Sequence, residues 1–206
     1  MWVIDPRFVY LAAALSVYGV WGYVRDTLRG DTAPNRVTWG LWGIEGLLAF
    51  VVEVQQHVGL PAFMTLMFGL LPCVVFVVSF RNPQSVWRIG PFDIVCGAVS
   101  VLGIVCWALI NEPTVALSAF VAADLMAGVP TIRKSWIAPS SESSRAFVMG
   151  VVTSAVAIMT LRHVTTAGAL FPGYVLVTDT VIATLVLTSA GPRWRHEAPE
   201  RRRERV

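Results

Sequence analysis

The sequence predicts an all-α membrane protein. Seven transmembrane helices form two three-helix bundles joined by a linker helix, a 3+1+3 arrangement, with the N-terminus outside and the C-terminus in the cytoplasm. Three observations predict this. Apolar segments of about 17 to 21 residues recur along the whole chain, each near the length that crosses a bilayer. The basic residues fall almost wholly on one side of those segments. The first and last parts of the chain can also be laid over each other. Composition agrees: 55% of the 206 residues are hydrophobic and 14% are charged, against about 25% charged in a soluble domain. That balance leaves no room for a separate soluble domain.

The spans are expected at about 8–24, 37–55, 60–80, 92–110, 114–133, 146–162 and 171–190. The first begins Met1-Trp2-Val3-Ile4-Asp5-Pro6-Arg7, without a strongly basic start. Its small residues Ala12, Ala13 and Ala14 lie inside the apolar run, so it reads as a span and not as a signal peptide. The second carries glycines at 40, 43 and 46, a narrow stripe that lets another helix approach closely. A polar turn, Gln55-Gln56-His57 with Gly59, leads into the third, where Gly69 and Pro72 predict a kink. The fourth is the poorest in special residues and serves as the linker. The tight turn Asn111-Glu112-Pro113 precedes the fifth, which carries Asp124 and Pro130. The sixth ends at Arg162, and the seventh begins at Phe171-Pro172 and carries Asp179. The units are therefore residues 1–91, a linker 92–113, residues 114–191 and a tail 192–206.

Orientation follows from arginine and lysine. Of the sixteen, only Arg7 and Arg162 lie on the side of the N-terminus and the 2–3, 4–5 and 6–7 connections; the other fourteen lie on the opposite side. The positive-inside rule puts that side in the cytoplasm. An odd number of spans preserves this alternation. The tail is basic and polar without an apolar face, which fits adhesion to anionic lipid headgroups and not nucleic-acid binding. Cys73, Cys96 and Cys106 all lie in apolar segments, and His57, His163 and His196 fall far apart at segment ends. Neither set points to a disulfide framework, a metal site or another cofactor.

Three carboxylates sit near the middle of apolar segments: Glu45, Asp124 and Asp179. An ionisable group at that depth costs about 3 kcal/mol or more unless it is paired, protonated or facing a wet cavity. Three in one small chain point to a substrate or proton pathway more than to packing. Asp124 and Asp179, if close, would titrate as a pair, the arrangement a proton-coupled carrier needs. Trp42 lies three residues before Glu45 and so shares its helix face. Trp42 could stack on a flat or cationic solute, while Trp39 is expected in the interfacial belt and Glu53 in solvent. No lysine or arginine lies inside a span, away from its ends, to neutralise these acids, which favours a neutral, zwitterionic or cationic solute over an anion. A retinal protein is excluded, because the last span has no lysine for a Schiff base.

The repeat aligns Val24-Arg25 with Ile132-Arg133 and Trp39 with Phe147 at an offset of 108 residues, and Leu60-Pro61 with Phe171-Pro172 at an offset of 111. Ser16 then matches Asp124, and Phe68 matches Asp179. Phe68 is thereby an aromatic wall opposite an acidic one. Gly22 and Pro130, near the cytoplasmic ends of the first and fifth spans, are candidate inner-gate hinges, with Pro72 a one-sided third.

The segments Gly22-Tyr23-Val24-Arg25-Asp26-Thr27-Leu28-Arg29-Gly30-Asp31-Thr32-Ala33-Pro34-Asn35-Arg36-Val37-Thr38-Trp39 and Asp124-Leu125-Met126-Ala127-Gly128-Val129-Pro130-Thr131-Ile132-Arg133-Lys134-Ser135-Trp136 resemble the first-repeat and second-repeat helix ends of bacterial SWEET and PQ-loop transporters. The family's Pro-Gln pair stands here as Pro130-Thr131 and as Gly22-Tyr23, while Pro83-Gln84 lies in the 3–4 loop. Asparagines that line the sugar pocket of SWEET proteins have no match in the third and seventh spans, so the resemblance speaks to fold more than to substrate. It implies that the first and fifth helices, and hence Asp124, face a central path. The expectation is a multi-pass carrier of the cell membrane. It would move a small polar solute by alternating access and would not be an enzyme, with oligomeric state left open. The other reading is a non-transporting receptor or scaffold of the same fold.

Overall fold

The computed structural model describes residues 4–82, 87–109 and 113–194. The Pro83-Gln84 pair, the Asn111-Glu112 turn and the tail beyond Trp194 lie outside the described residues. The chain is all-helical: α1 (Phe8–Arg29), α2 (Arg36–Gln55), α3 (Ala62–Val78), α4 (Pro91–Leu109), α5 (Pro113–Ile137), α6 (Ser144–Met159) and α7 (Thr166–Thr188), with a 3-10 turn at Pro139–Ser141. Among the described residues there is no strand. Both α1 and α5 run about one turn past the apolar pattern. Their polar ends stay helical because Thr27, Lys134 and Ser135 are buried against the connections that follow.

Local chemistry sets the boundaries. Gly30 adopts φ 89°, and its N–H reaches back to the carbonyls of Asp26 and Thr27, closing α1 in the left-handed cap that glycine favours. Asn35 starts α2 by accepting from the N–H groups of Val37 and Thr38. The same side chain donates to Asp93 Oδ1 at 2.8 Å, so one residue caps α2 and ties it to the start of α4. Thr165 Oγ1 accepts from Gly168 N at 3.2 Å and starts α7.

α3 packs against α1 and α2, and α7 packs against α5 and α6. Across these groups α1 lies on α6 and α2 on α5, while α4 rests on α5 and α2. The glycine stripe of α2 meets α3: a Cβ at Gly46 would stand 2.6 Å from Gly69 Cα, so the two backbones touch. The α1–α2 and α5–α6 connections meet at one end of the molecule, where Ala33 N donates to Ser141 O at 2.9 Å and Ser143 Oγ to Asp26 Oδ2 at 2.9 Å. The segment before α1 and the α2–α3 and α6–α7 connections meet at the other end, where Ile4 N donates to Met159 O at 3.1 Å and Asp5, His57 and Arg162 line one depression.

Polarity is distributed inside out. Ser16, Thr38, Glu45, Thr65, Ser100, Asp124 and Thr153 are buried, while Trp21, Tyr18, Leu102, Ile94 and Val177 are exposed. A soluble monomer seldom shows apolar patches beyond a few hundred Å². Phe8–Arg29, Arg36–Gln55 and Gly168–Thr188 are long and apolar enough to cross a membrane; Ala62–Val78, Pro91–Cys106 and Ser144–Met159 are apolar but shorter.

Three expectations change. Trp39 is not a belt residue: at 4% exposure it packs between Tyr23, Trp42 and Phe147. Glu53 is buried and not solvated. α4 is more than a spacer, because Ser100 reaches the second helix and donates to Glu45 Oε1 at 2.7 Å. Side-chain rotation about each helix axis decides these cases, and hydropathy along a segment does not report it.

Candidate functional site

A cavity of about 90 Å³ lies where α1, α2, α3, α5, α6 and α7 converge. Trp42, Phe68, Pro72, Asp124 and Asp179 line it, five of the eight residues singled out above. Ser16, the match of Asp124 in the first repeat, lines it too. Glu45 stands directly behind Asp124. Gly22 and Pro130 are outside the lining: Gly22 is a notch for Arg145, whose Cδ would stand 2.6 Å from any Cβ there, and Pro130 is buried in α5 toward Lys134.

Trp42 is fixed from α5. Its Nε1 donates to the Asp124 carbonyl oxygen at 3.4 Å, and its ring edge passes Gly128, where a Cβ would stand 3.0 Å away. Asp179 sits on Gly150 of α6, and a Cβ at that position would collide with its carboxylate. Asp124 is 2% exposed and lies within hydrogen-bonding reach of Glu45, which is fully buried. Glu45 Oε2 and Asp124 Oδ1 each lack a donor, as expected of two acceptors placed face to face. The Tyr174 hydroxyl lies beside Asp124 and Thr178 but stops short of a well-formed hydrogen bond. Asp179 lines the same cavity as Asp124. The acid that partners Asp124 is thus Glu45, whereas the sequence paired it with Asp179.

Among the described residues no lysine, arginine or histidine lines the cavity. Lys134 is instead taken up at the end of α5. It is buried with Glu142 at 2.7 Å, also donates to Ala33 O, and meets Tyr23 through Glu142 Oε2, which accepts from the Tyr23 hydroxyl at 2.8 Å. Among the described residues no group of three or more His, Cys, Asp or Glu side chains is placed to hold a metal.

Sequence reasoning missed Trp39, Phe147, Gly150, Phe171, Tyr174 and Thr178 as lining residues. A signal for some existed. Phe171, Val175 and Asp179 fall at four-residue steps on α7, with Tyr174 and Thr178 beside them on the same face. Phe147 is also the repeat match of Trp39.

Fold and site together define a class: a helical protein with an apolar exterior, membrane-length helices and an acidic, aromatic-walled cavity at its centre. No protein family, curated protein or solved structure matches the chain.

Proposed function

We propose that this chain is a multi-pass carrier of the cytoplasmic membrane that moves a small polar solute by alternating access. Seven helices span the bilayer as two three-helix bundles joined by α4, with the N-terminus outside and the basic end in the cytoplasm. Asp124 and Asp179 bind the solute or a proton and couple the two, with Glu45 assisting. The observation that carries this reading is the cavity between the two halves, with both aspartates in its wall.

The packing supports the repeat. The third helix of each half lies against the other two, and the contacts between halves, α1 with α6 and α2 with α5, exchange when the halves are exchanged. Glu142 accepts from Tyr23 in one half and holds Lys134 of the other, which ties the basic end shut. Opening the cavity to that end requires this tie to loosen, and Pro130, between Asp124 and Lys134 on α5, is a natural place for the bend.

Flux into liposomes tests the reading. Asp124→Asn and Asp179→Asn are expected to abolish pH-dependent uptake while the melting temperature stays near that of the wild type. Full pH-dependent uptake in both variants refutes proton coupling through these residues. A solute that binds without being transported would instead support the receptor reading.

A further inference from the structure

We infer that the central cavity is a binding site for a compact organic ammonium ion, with Asp179 as its counter-ion and aromatic rings as its walls. The inference rests on the carrier reading for its biological sense and names the class of its solute.

The charge pattern comes first. Among the described residues the cavity wall holds two carboxylates and no basic side chain. A solute bearing its own carboxylate would find only like charge there, and an anion would find nothing to pair with. Removed from water, a carboxylate needs a cation or a proton close by.

The two halves differ in a way that assigns the parts. At the repeat offset of 108 residues, Ser16 matches Asp124 and Thr153 matches Glu45. In the first pair Ser16 Oγ donates to Thr153 Oγ1 at 3.1 Å, across the contact of α1 with α6. In the second pair the equivalent contact, α5 with α2, places two carboxyl groups together. Two hydroxyls satisfy each other, whereas two carboxyl groups need a proton or a cation between them. Asp124 stands against Glu45, whose Oε1 accepts from Ser100 Oγ at 2.7 Å. Asp179 has no carboxyl partner of that kind. Its carboxylate lies on Gly150, in the space a Cβ there would fill, at the cavity wall, and its repeat match is Phe68. One wall is anionic and the facing wall is aromatic.

The remaining walls suit a cation. Trp42, Phe68, Phe147 and Phe171 line the same space, and aromatic rings attract a desolvated ammonium ion over their faces. The Tyr174 hydroxyl, on another lining residue, is buried without a formed hydrogen bond, and it can meet the hydroxyl of a small amino alcohol. Size bounds the rest. About 90 Å³ admits roughly six to nine water-sized groups, which suits an ion the size of choline.

The test is equilibrium binding by calorimetry to the purified full chain in detergent. Three probes are used: choline; 3,3-dimethyl-1-butanol, its neutral carbon analogue; and glycine betaine, its zwitterionic relative. Choline is expected to bind saturably, about tenfold or more tighter than either of the others. Asp179→Asn should weaken choline about tenfold and leave the neutral analogue unchanged. Equal affinity for choline and the neutral analogue, no saturable choline binding, or unchanged choline affinity in Asp179→Asn each overturns the inference. Should that variant fail to fold, the three probes on the wild type decide the matter by themselves. Liposome flux separates this from the carrier reading. Flux of a neutral solute without choline binding sinks the ammonium site alone; choline binding without flux supports the site and sinks the carrier.

Discussion

Glu142→Gln should unfold this protein several degrees earlier, and the reason lies at the basic end of the helices. Lys134 Nζ and Glu142 Oε1 are 2.7 Å apart with both side chains at 0% exposure. At an effective dielectric of about 20 that separation corresponds to about 6 kcal/mol of attraction. Loss of the carboxylate charge leaves the ammonium buried, with the Ala33 carbonyl as its remaining strong acceptor. With the glutamine oxygen toward Lys134, its N–H faces the Tyr23 hydroxyl, which now donates to Glu142 Oε2 at 2.8 Å and would have to turn and accept. Breaking one side of a buried pair costs about 3–5 kcal/mol. In a chain of this length that lowers the melting temperature by roughly 6–20 °C. The assay is thermal unfolding in detergent followed by near-ultraviolet circular dichroism. Lys134→Met combined with Glu142→Leu removes both charges and should recover most of the loss, because no unpaired charge remains. A fall of less than about 3 °C for Glu142→Gln would mean that the pair behaves like a screened surface contact. The reasoning from burial would then be wrong.

Other substitutions test the packing and the capping. Gly46→Ala should destabilise by about 1–3 kcal/mol, since its Cβ would meet the Gly69 backbone at 2.6 Å. Gly173→Ala, with nothing within 4 Å of the new methyl, should be neutral or stabilising in the same melting assay. Asn35→Ala removes the cap of α2 and the donor to Asp93, and should cost about 1–2 kcal/mol for the cap alone, read by denaturant unfolding. Ser100→Ala leaves Glu45 Oε1 without its donor and should cost about 1–3 kcal/mol, visible as a lower melting temperature; an unchanged value would mean that water replaces the hydroxyl.

Most of the helix plan was legible in the order of residues. Each observed helix coincides with an apolar run, because the bilayer-length pattern and the caps, such as Gly30 and Asn35, are local. The cavity was legible in part. Asp124, Asp179, Trp42, Phe68 and Pro72 stood out as residues that break an apolar run, and they do converge. The partner of Asp124 was not legible. Glu45 reaches it from α2 only because α2 lies on α5, and nothing within the α2 segment states which helix it will face. Gly150 was equally silent, since a glycine in an apolar helix gives no sign that a carboxylate rests on it.

The sequence by itself determined that the chain is helical, apolar on the outside and acid-bearing within, because periodicity, span length and isolated carboxylates are properties of single segments. Only the tertiary structure decided that Glu45 stands against Asp124 and that Asp124 and Asp179 line one cavity. It also turned Trp39 inward and placed the one lysine in a buried ion pair. Those outcomes depend on how each helix is rotated and on which neighbour the glycine contacts allow to come close. They are settled by packing between segments far apart in the chain.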